Sequence, residues 1–228
     1  EVPADWDSDN AFTTDDWMPE YSPEILDRIA QRVAAGQDSV RLMSWNNGAM
    51  ASSTDREFEE SVLRAMDSNE AAFGAWVPGV QPQENMFSPD DISRYTDLGV
   101  DWVTLFYSAN GFTGPRNDVL LNGAAAYNPF EIVDPVSNAS MQAVPVYHHG
   151  DLLDHGGLRG WVQQLNAAYD QDTLLVIHFD ADGDSWETFD EELASIADLG
   201  FVEYVNIADY LATHDQAASV ELPGDVAD

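Results

Sequence analysis

Three aspartates stand at alternate positions, Asp180, Asp182 and Asp184, with Gly183 among them. They follow the apolar run Leu174–Ile177, which is preceded by Thr173 and bounded by turn residues. Such a run reads as a parallel strand buried on both faces. Acids delivered from the carboxyl end of a parallel strand can serve as general acids. Two other roles compete for them. Asp184 or Ser185 could cap a helix that starts near Trp186, leaving the other acids solvated. Asp180, Asp182, Asp184 and Glu191 also match calcium-loop positions, but Gly183 falls at the fourth place and Ser185 at the sixth, where the turn needs glycine.

Glycosidic bond cleavage needs a second carboxyl group, about 5–5.5 Å from the first in retaining enzymes. Glu84 is the best candidate. It lies in the loop Pro78-Gly79-Val80-Gln81-Pro82-Gln83-Glu84, after an expected strand and before a helix cap, with no cation near it in sequence. Its plainer reading is a surface acid on a proline-rich loop. Four of the five histidines, His148, His149, His155 and His178, supply a competing chemistry. With Asp180 or Asp182 they could bind zinc. Taken singly, each is a loop or sugar-contacting residue, and His178 is a hydrogen-bonded residue at the end of the buried run. Trp45, Trp76, Tyr107, Phe112 and Trp186 fall at or after strand ends, where rings either stack on sugar faces or fill the core and its rim.

Strands alternating with helices must position these groups. Ser22-Pro23 starts a helix that closes at Gly36. Strands are predicted at Val40–Trp45, Ala72–Val77, Asp101–Tyr107, Ala143–His148, Thr173–Ile177 and Phe201–Asn206. Helices are predicted from Thr54, from Ser88-Pro89 to Gly99, over Leu158–Tyr169 and Trp186–Leu199, and over Ala208–His214. Residues 108–142 read as long and irregular, residues 1–21 as an irregular lead-in, and residues 216–228 as a loose acidic tail. The alternation implies one domain over 1–228 with a parallel sheet. It is either doubly wound or a (β/α) barrel of about six to seven strands, incomplete or distorted. No glycine-rich phosphate loop follows any strand, so nucleotide binding is not expected.

The composition narrows the partners. The chain of 228 residues carries 42 Asp+Glu against 8 Lys+Arg, all eight of them arginine, for a net charge of −34. Nucleic acid and anionic membrane both need basic patches, so neither is expected as a partner. A solvated acidic surface of the halophilic kind is expected, in the cytoplasm of a high-salt organism or secreted from it. There are no cysteines, and no segment has the length and apolarity of a membrane span. The sequence begins at Glu1 without Met, which reads as a processed or excised end, and it shows no signal peptide. Asn138-Ala139-Ser140 is a glycosylation sequon, relevant only to an exported protein.

Two stretches resemble glycoside hydrolase family 57. Pro82-Gln83-Glu84-Asn85-Met86-Phe87-Ser88-Pro89, followed by Leu98-Gly99 and a strand, is similar to the family's nucleophile region. Asp182-Gly183-Asp184-Ser185-Trp186-Glu187 is similar to its later Asp-Gly-Glu motif. The resemblance implies an incomplete (β/α) barrel that acts on α-glucans by retention, without metal or other cofactor. Glu84 would be the nucleophile and Asp182 the acid/base. Trp45, Trp76, Tyr107, His149, His178, Asp180, Asp184 and Trp186 would line the site, and an oligo- or polysaccharide would be the partner. The family's first motif, a His-Gln-Pro on the first strand, is absent, and no strand is evident before residue 40. A fragment, an inactive relative that only binds carbohydrate, or a further polypeptide supplying that strand would follow. Phe179-Asp180-Ala181-Asp182-Gly183 also resembles a polysaccharide deacetylase motif, although that family's His-x-x-x-His pair is missing. A metal-dependent deacetylase is therefore the second reading.

Overall fold

The computed structural model describes residues 2–83, 86–107, 121–179 and 188–224. Its framework is a run of parallel strands laid side by side in chain order. Strand β1 (Asp5–Trp6) pairs with β2 (Ser39–Val40). The exit of β2 joins β3 (Gly79–Val80) through the parallel bridge Leu42–Val80 and the bonds Leu42 N–H to Gly79 O and Gln81 N–H to Leu42 O, both 2.8 Å. Then β3 pairs with β4 (Trp102–Phe106), β4 with β6 (Ser140–His148), and β6 with β7 (Val176–His178), all in parallel. Two strands depart from this pattern. β5 (Phe130–Val133) runs antiparallel along the first part of β6, and β8 (Ser219–Glu221) pairs in parallel with β5. The architecture is therefore a mixed α/β sheet with helices against it. Hydrogen bonding among the described residues does not draw a closed barrel.

Registry sorts the side chains into two faces, because neighbours along a strand point to opposite sides. Val40, Leu42, Val80, Val103, Leu105, Ala143 and Tyr147 share the face packed by helices. Those helices are α2 (Pro23–Ala34), α3 (Asp55–Phe73), α4 (Asp91–Asp97) and α6 (Gly157–Ala168), which contribute Ile29, Phe58, Val62, Ile92, Tyr95, Trp161 and Leu165. The opposite, inner face carries Asp5, Ser39, Arg41, Gln81, Trp102, Thr104, Val144 and Val176. Ile207 and Tyr210 of α8 (Ile207–Leu211) cluster with Trp102, Val144 and Leu174 at the amino ends of the strands. Gly79 is required there, since a Cβ would come within 2.1 Å of the Trp102 ring.

Several expectations need correction. A strand exists at Asp5–Trp6, inside the stretch read as an irregular lead-in and before residue 40, where none was evident. Its inner face is made of aspartates, and that hid it from a hydrophobic pattern. It is held by Asp38, which accepts from Arg32 Nε at 2.7 Å, Trp6 Nε1 at 2.9 Å and Ala4 N–H at 3.1 Å. Burial pushes the Asp38 carboxyl up, but the Arg32, Trp6 and Ala4 hydrogen bonds outweigh it and hold it below the usual range. The lead-in also contains a π-helix over Asn10–Trp17 and α1 (Met18–Tyr21).

The strand expected at Ala72–Val77 begins instead as helix. Thr54 and Glu57 form a reciprocal capping box on α3, and the helix runs through Phe73 to Gly74, whose φ of 76° ends it. Residues 108–142 contain β5 and the start of β6, and the tail contains β8. Phe201–Asn206 is not a strand. It passes β1 unpaired, with Phe201 and Tyr204 exposed, and delivers the Ile207 N–H to Asp5 Oδ2 at 3.1 Å.

Candidate functional site

Because β1, β2, β3, β4, β6 and β7 are parallel and adjacent, their carboxyl ends form one edge of the sheet. The chain turns away from the sheet there, and loops at that edge are where α/β folds place chemistry. Glu84 follows the exit of β3 in sequence, and Asp180, Asp182, Asp184 and Trp186 follow the exit of β7. All five, with Phe112, lie outside the described residues. The strands that lead to them are described, and they emerge on the same edge with β4 and β6 between them.

The inner face beneath that edge is polar. Arg41, 3% exposed, donates to Asp7 Oδ2 from Nε at 2.9 Å and from Nη2 at 2.5 Å. Among the described residues, its buried Nη1 meets no hydrogen-bond partner. Asp5, one pair lower, accepts from the Ser39 hydroxyl and the Ile207 N–H. Burial pushes the Asp5 carboxyl above its usual range. Next along the face, Thr104 Oγ1 donates to Gln81 Oε1 at 2.5 Å, and both residues are buried. Gln81 and Gln83 begin the segment that leads to Glu84.

At the other end of the edge, His148 and His178 are directly opposed on β6 and β7. His148 Nδ1 accepts the Gly150 N–H at 3.1 Å, and Asp151 Oδ2 accepts the His148 N–H at 3.2 Å. A neutral imidazole that accepts at Nδ1 carries its proton on Nε2. His148 therefore presents a donor to whatever lies before it, which suits an oxygen-rich ligand better than a metal ion held at Nε2. Among the described residues no group of three His, Asp or Glu side chains is arranged to hold a metal.

The remaining expected site residues separate. His178 is on the inner face, opposite His148. His149 opens a 3-10 turn just past β6; its ring centroid lies 4.0 Å from that of His148, and it also stacks on Phe179, with centroids 5.6 Å apart and planes 18° apart. Tyr107 is 5% exposed and packs edge-on against Phe130 and Tyr147. It is a core residue, because its parity puts it on the helix-packed face. Trp76 precedes β3 and so lies at the end of that strand away from the exit loops. Trp45 sits at the edge, at the exit of β2. Its indole N–H donates to Asp15 at 3.2 Å, and the Arg64 guanidinium lies 4.6 Å over its ring. His155 stacks on Trp161 of α6, away from the histidine pair. Asp7, Arg41, Gln81 and Thr104 were not among the expected site residues. Their signal was polar residues at every second position of short strands, as in Asp5-Trp6-Asp7 and Ser39-Val40-Arg41.

No family profile matches the sequence, and no curated protein matches it. The fold is similar to that of the 4-alpha-glucanotransferase from Thermococcus litoralis, with a TM-score of 0.72 at 15% identity over 91% of this chain and 33% of that one. It is also similar to a branching enzyme of glycoside hydrolase family 57 from Thermococcus kodakaraensis, with a TM-score of 0.62 at 12% identity over 92% of this chain and 53% of that one. A protein assigned as a polysaccharide deacetylase from Mycobacterium smegmatis gives 0.60 at 12% identity over 91% of this chain and 70% of that one. The chain thus spans about a third of the glucanotransferase and about half of the branching enzyme. At these identities the likeness is one of fold.

Proposed function

We propose that the protein acts on an oligo- or polysaccharide at the carboxyl edge of its parallel strands, with Glu84 as nucleophile and Asp182 as general acid/base of a retaining reaction on α-glucans. One observation carries the reading. The two strands that lead to these acids, β3 and β7, run in the same direction in one sheet and release their loops at one edge. Three strand spacings separate them, roughly 14 Å in a flat sheet. Loops leaning over the inner face can bring two carboxyl groups from there to the separation that a retaining pair needs. The fold likeness to a 4-alpha-glucanotransferase and a branching enzyme adds support.

In this reading Glu84 attacks the anomeric carbon while protonated Asp182 gives its proton to the departing oxygen. Water or a second sugar, deprotonated by Asp182, then displaces Glu84. His148, with Nε2–H, and His178 supply hydrogen bonds to sugar hydroxyls. Arg41 orders the floor through Asp7.

The test is turnover of a maltooligosaccharide with the product anomer read by NMR. The expected result is retained configuration, loss of turnover in Glu84→Gln, and a fall of about 10²–10⁴-fold in Asp182→Asn. Zinc-dependent release of acetate from an acetylated glycan, undiminished by Glu84→Gln, would overturn the reading in favour of a deacetylase.

A further inference from the structure

Asn10–Trp17 leave the carboxyl end of β1 as a π-helix, in which each N–H bonds the carbonyl five residues back, as Met18 N–H does to Thr13 O. Residues five apart then fall on one face, and Phe12 and Trp17 have that spacing. Four residues on, in α-helical spacing, stands Tyr21, with its ring centroid 5.5 Å from that of Trp17. Phe12, Trp17 and Tyr21 are 62%, 44% and 61% exposed, and Ile25 beyond them is 49% exposed. One position before Trp17, Tyr21 and Ile25 stand Asp16, Glu20 and Glu24, all exposed. A run of exposed rings edged by carboxylates is an interaction surface. The segment is tied to the site edge, since Ala11 N–H donates to Trp45 O at 2.6 Å and the Trp45 indole donates to Asp15.

We infer that Phe12, Trp17 and Tyr21 form an outlying binding site for a polymeric neutral glycan whose reacting end lies at the sheet edge, an inference that rests on the carbohydrate reading above. The surface offers apolar ring faces and, at its border, hydrogen-bond acceptors without donors of their own. A pyranose offers the complement, with C–H faces to pack on rings and hydroxyls to donate to Asp16 and Glu20. An anionic partner is repelled by those carboxylates. A second copy of the chain would set Asp16, Glu20 and Glu24 against acids of its own kind, which costs energy at short range.

The experiment is affinity electrophoresis through amylose in molar NaCl, where attraction of the carboxylates for any basic partner is screened. Wild type, Trp17→Ala and Tyr21→Ala are compared, with turnover of maltotriose and oligomeric state by sedimentation measured alongside. Both side chains are exposed, so the variants are expected to fold. The expected result is that amylose retards the wild type, each variant binds it about tenfold more weakly, and maltotriose turnover is unchanged. Retardation equal to wild type in both variants overturns the inference. So does a wild-type dimer that Trp17→Ala separates, because the surface is then a self-interface. A wild type that turns over maltotriose without retardation removes this site alone. Failure of both removes the carbohydrate reading as well.

Discussion

Arg41 grips one oxygen of Asp7 through both Nε and Nη2, and the two side chains lie on the inner face of adjacent parallel strands. The pair is nearly withdrawn from solvent, with side chains 3% and 13% exposed. A guanidinium in that position is held by its partner and loses its justification without it. Asp7→Leu should therefore lower the free energy of unfolding by about 3–5 kcal/mol, and the double variant Asp7→Leu/Arg41→Met should recover most of the loss. Urea titrations of the two proteins decide the point. Equal destabilisation of both would show that the pair contributes nothing specific.

Thr104 acts at the start of the segment that reaches Glu84. Its hydroxyl donates to Gln81 Oε1 at 2.5 Å. Thr104→Val keeps the shape and removes the hydroxyl's bonds to Gln81 Oε1 and Val80 O, at a cost of about 0.5–1.5 kcal/mol per bond. We expect kcat on a maltooligosaccharide to fall further than in Thr54→Ala, which weakens the α3 cap by about 1 kcal/mol without touching this segment. Equal falls in the two variants would reduce Thr104 to a stability residue.

Asp5 should make stability depend on pH in an unusual direction. Burial raises its folded-state pKa above the ordinary carboxyl value of 3.8. The folded protein then holds the proton more tightly than the unfolded chain. Its contribution is fully present below the unfolded pKa and is lost as pH rises through the folded pKa. Asp5→Asn removes that loss. An asparagine can accept the Ile207 N–H through Oδ1 and donate to Ser39 through Nδ2. The variant should gain in urea midpoint relative to wild type at pH 7, and the gain should shrink as pH is lowered toward 3.8. A gain that is constant with pH would assign the effect elsewhere.

Gly79 is fixed by its neighbour. The Trp102 ring fills the space in which a Cβ would stand. Gly79→Ala should destabilise by about 1–3 kcal/mol through overpacking, and Trp102→Leu in the same chain should relieve part of it. Thermal unfolding of the single and double variants checks this, and a loss that Trp102→Leu leaves untouched would show that the ring is not what excludes the Cβ.

The helix-packed half of the fold was legible because its residues alternate as hydrophobic patterns require. The strands Asp101–Tyr107 and Ala143–His148 were located from such patterns, and their observed bounds are close. The cap Ser22-Pro23 and the stop at Gly36 also framed α2 well. The inner face was not legible by the same means. A strand with aspartates on one side and a tryptophan on the other, as in Asp5-Trp6-Asp7, looks like a polar loop until its partner is known. Trp76 was misplaced because Glu70, Ala71 and Ala72 extend a well-capped helix and move the strand start past it. Tyr107 was assigned to the site by its position at a strand end, but parity turned it into the core.

The unpaired passage of Phe201–Asn206 beside β1 has a consequence for how the chain assembles. The bond between Ile207 and Asp5 joins residues 202 positions apart, whereas Ser39 meets Asp5 across 34. Loop-closure entropy makes the longer junction costlier by about 1.6 kcal/mol. The amino-terminal unit, clasped by Asp38, can organise on nearby residues, and the docking of Ile207 on Asp5 comes after it. The junction at Asp5 is accordingly expected to open more readily than the central strands, and amide exchange around Ile207 should outpace exchange along β4 and β6.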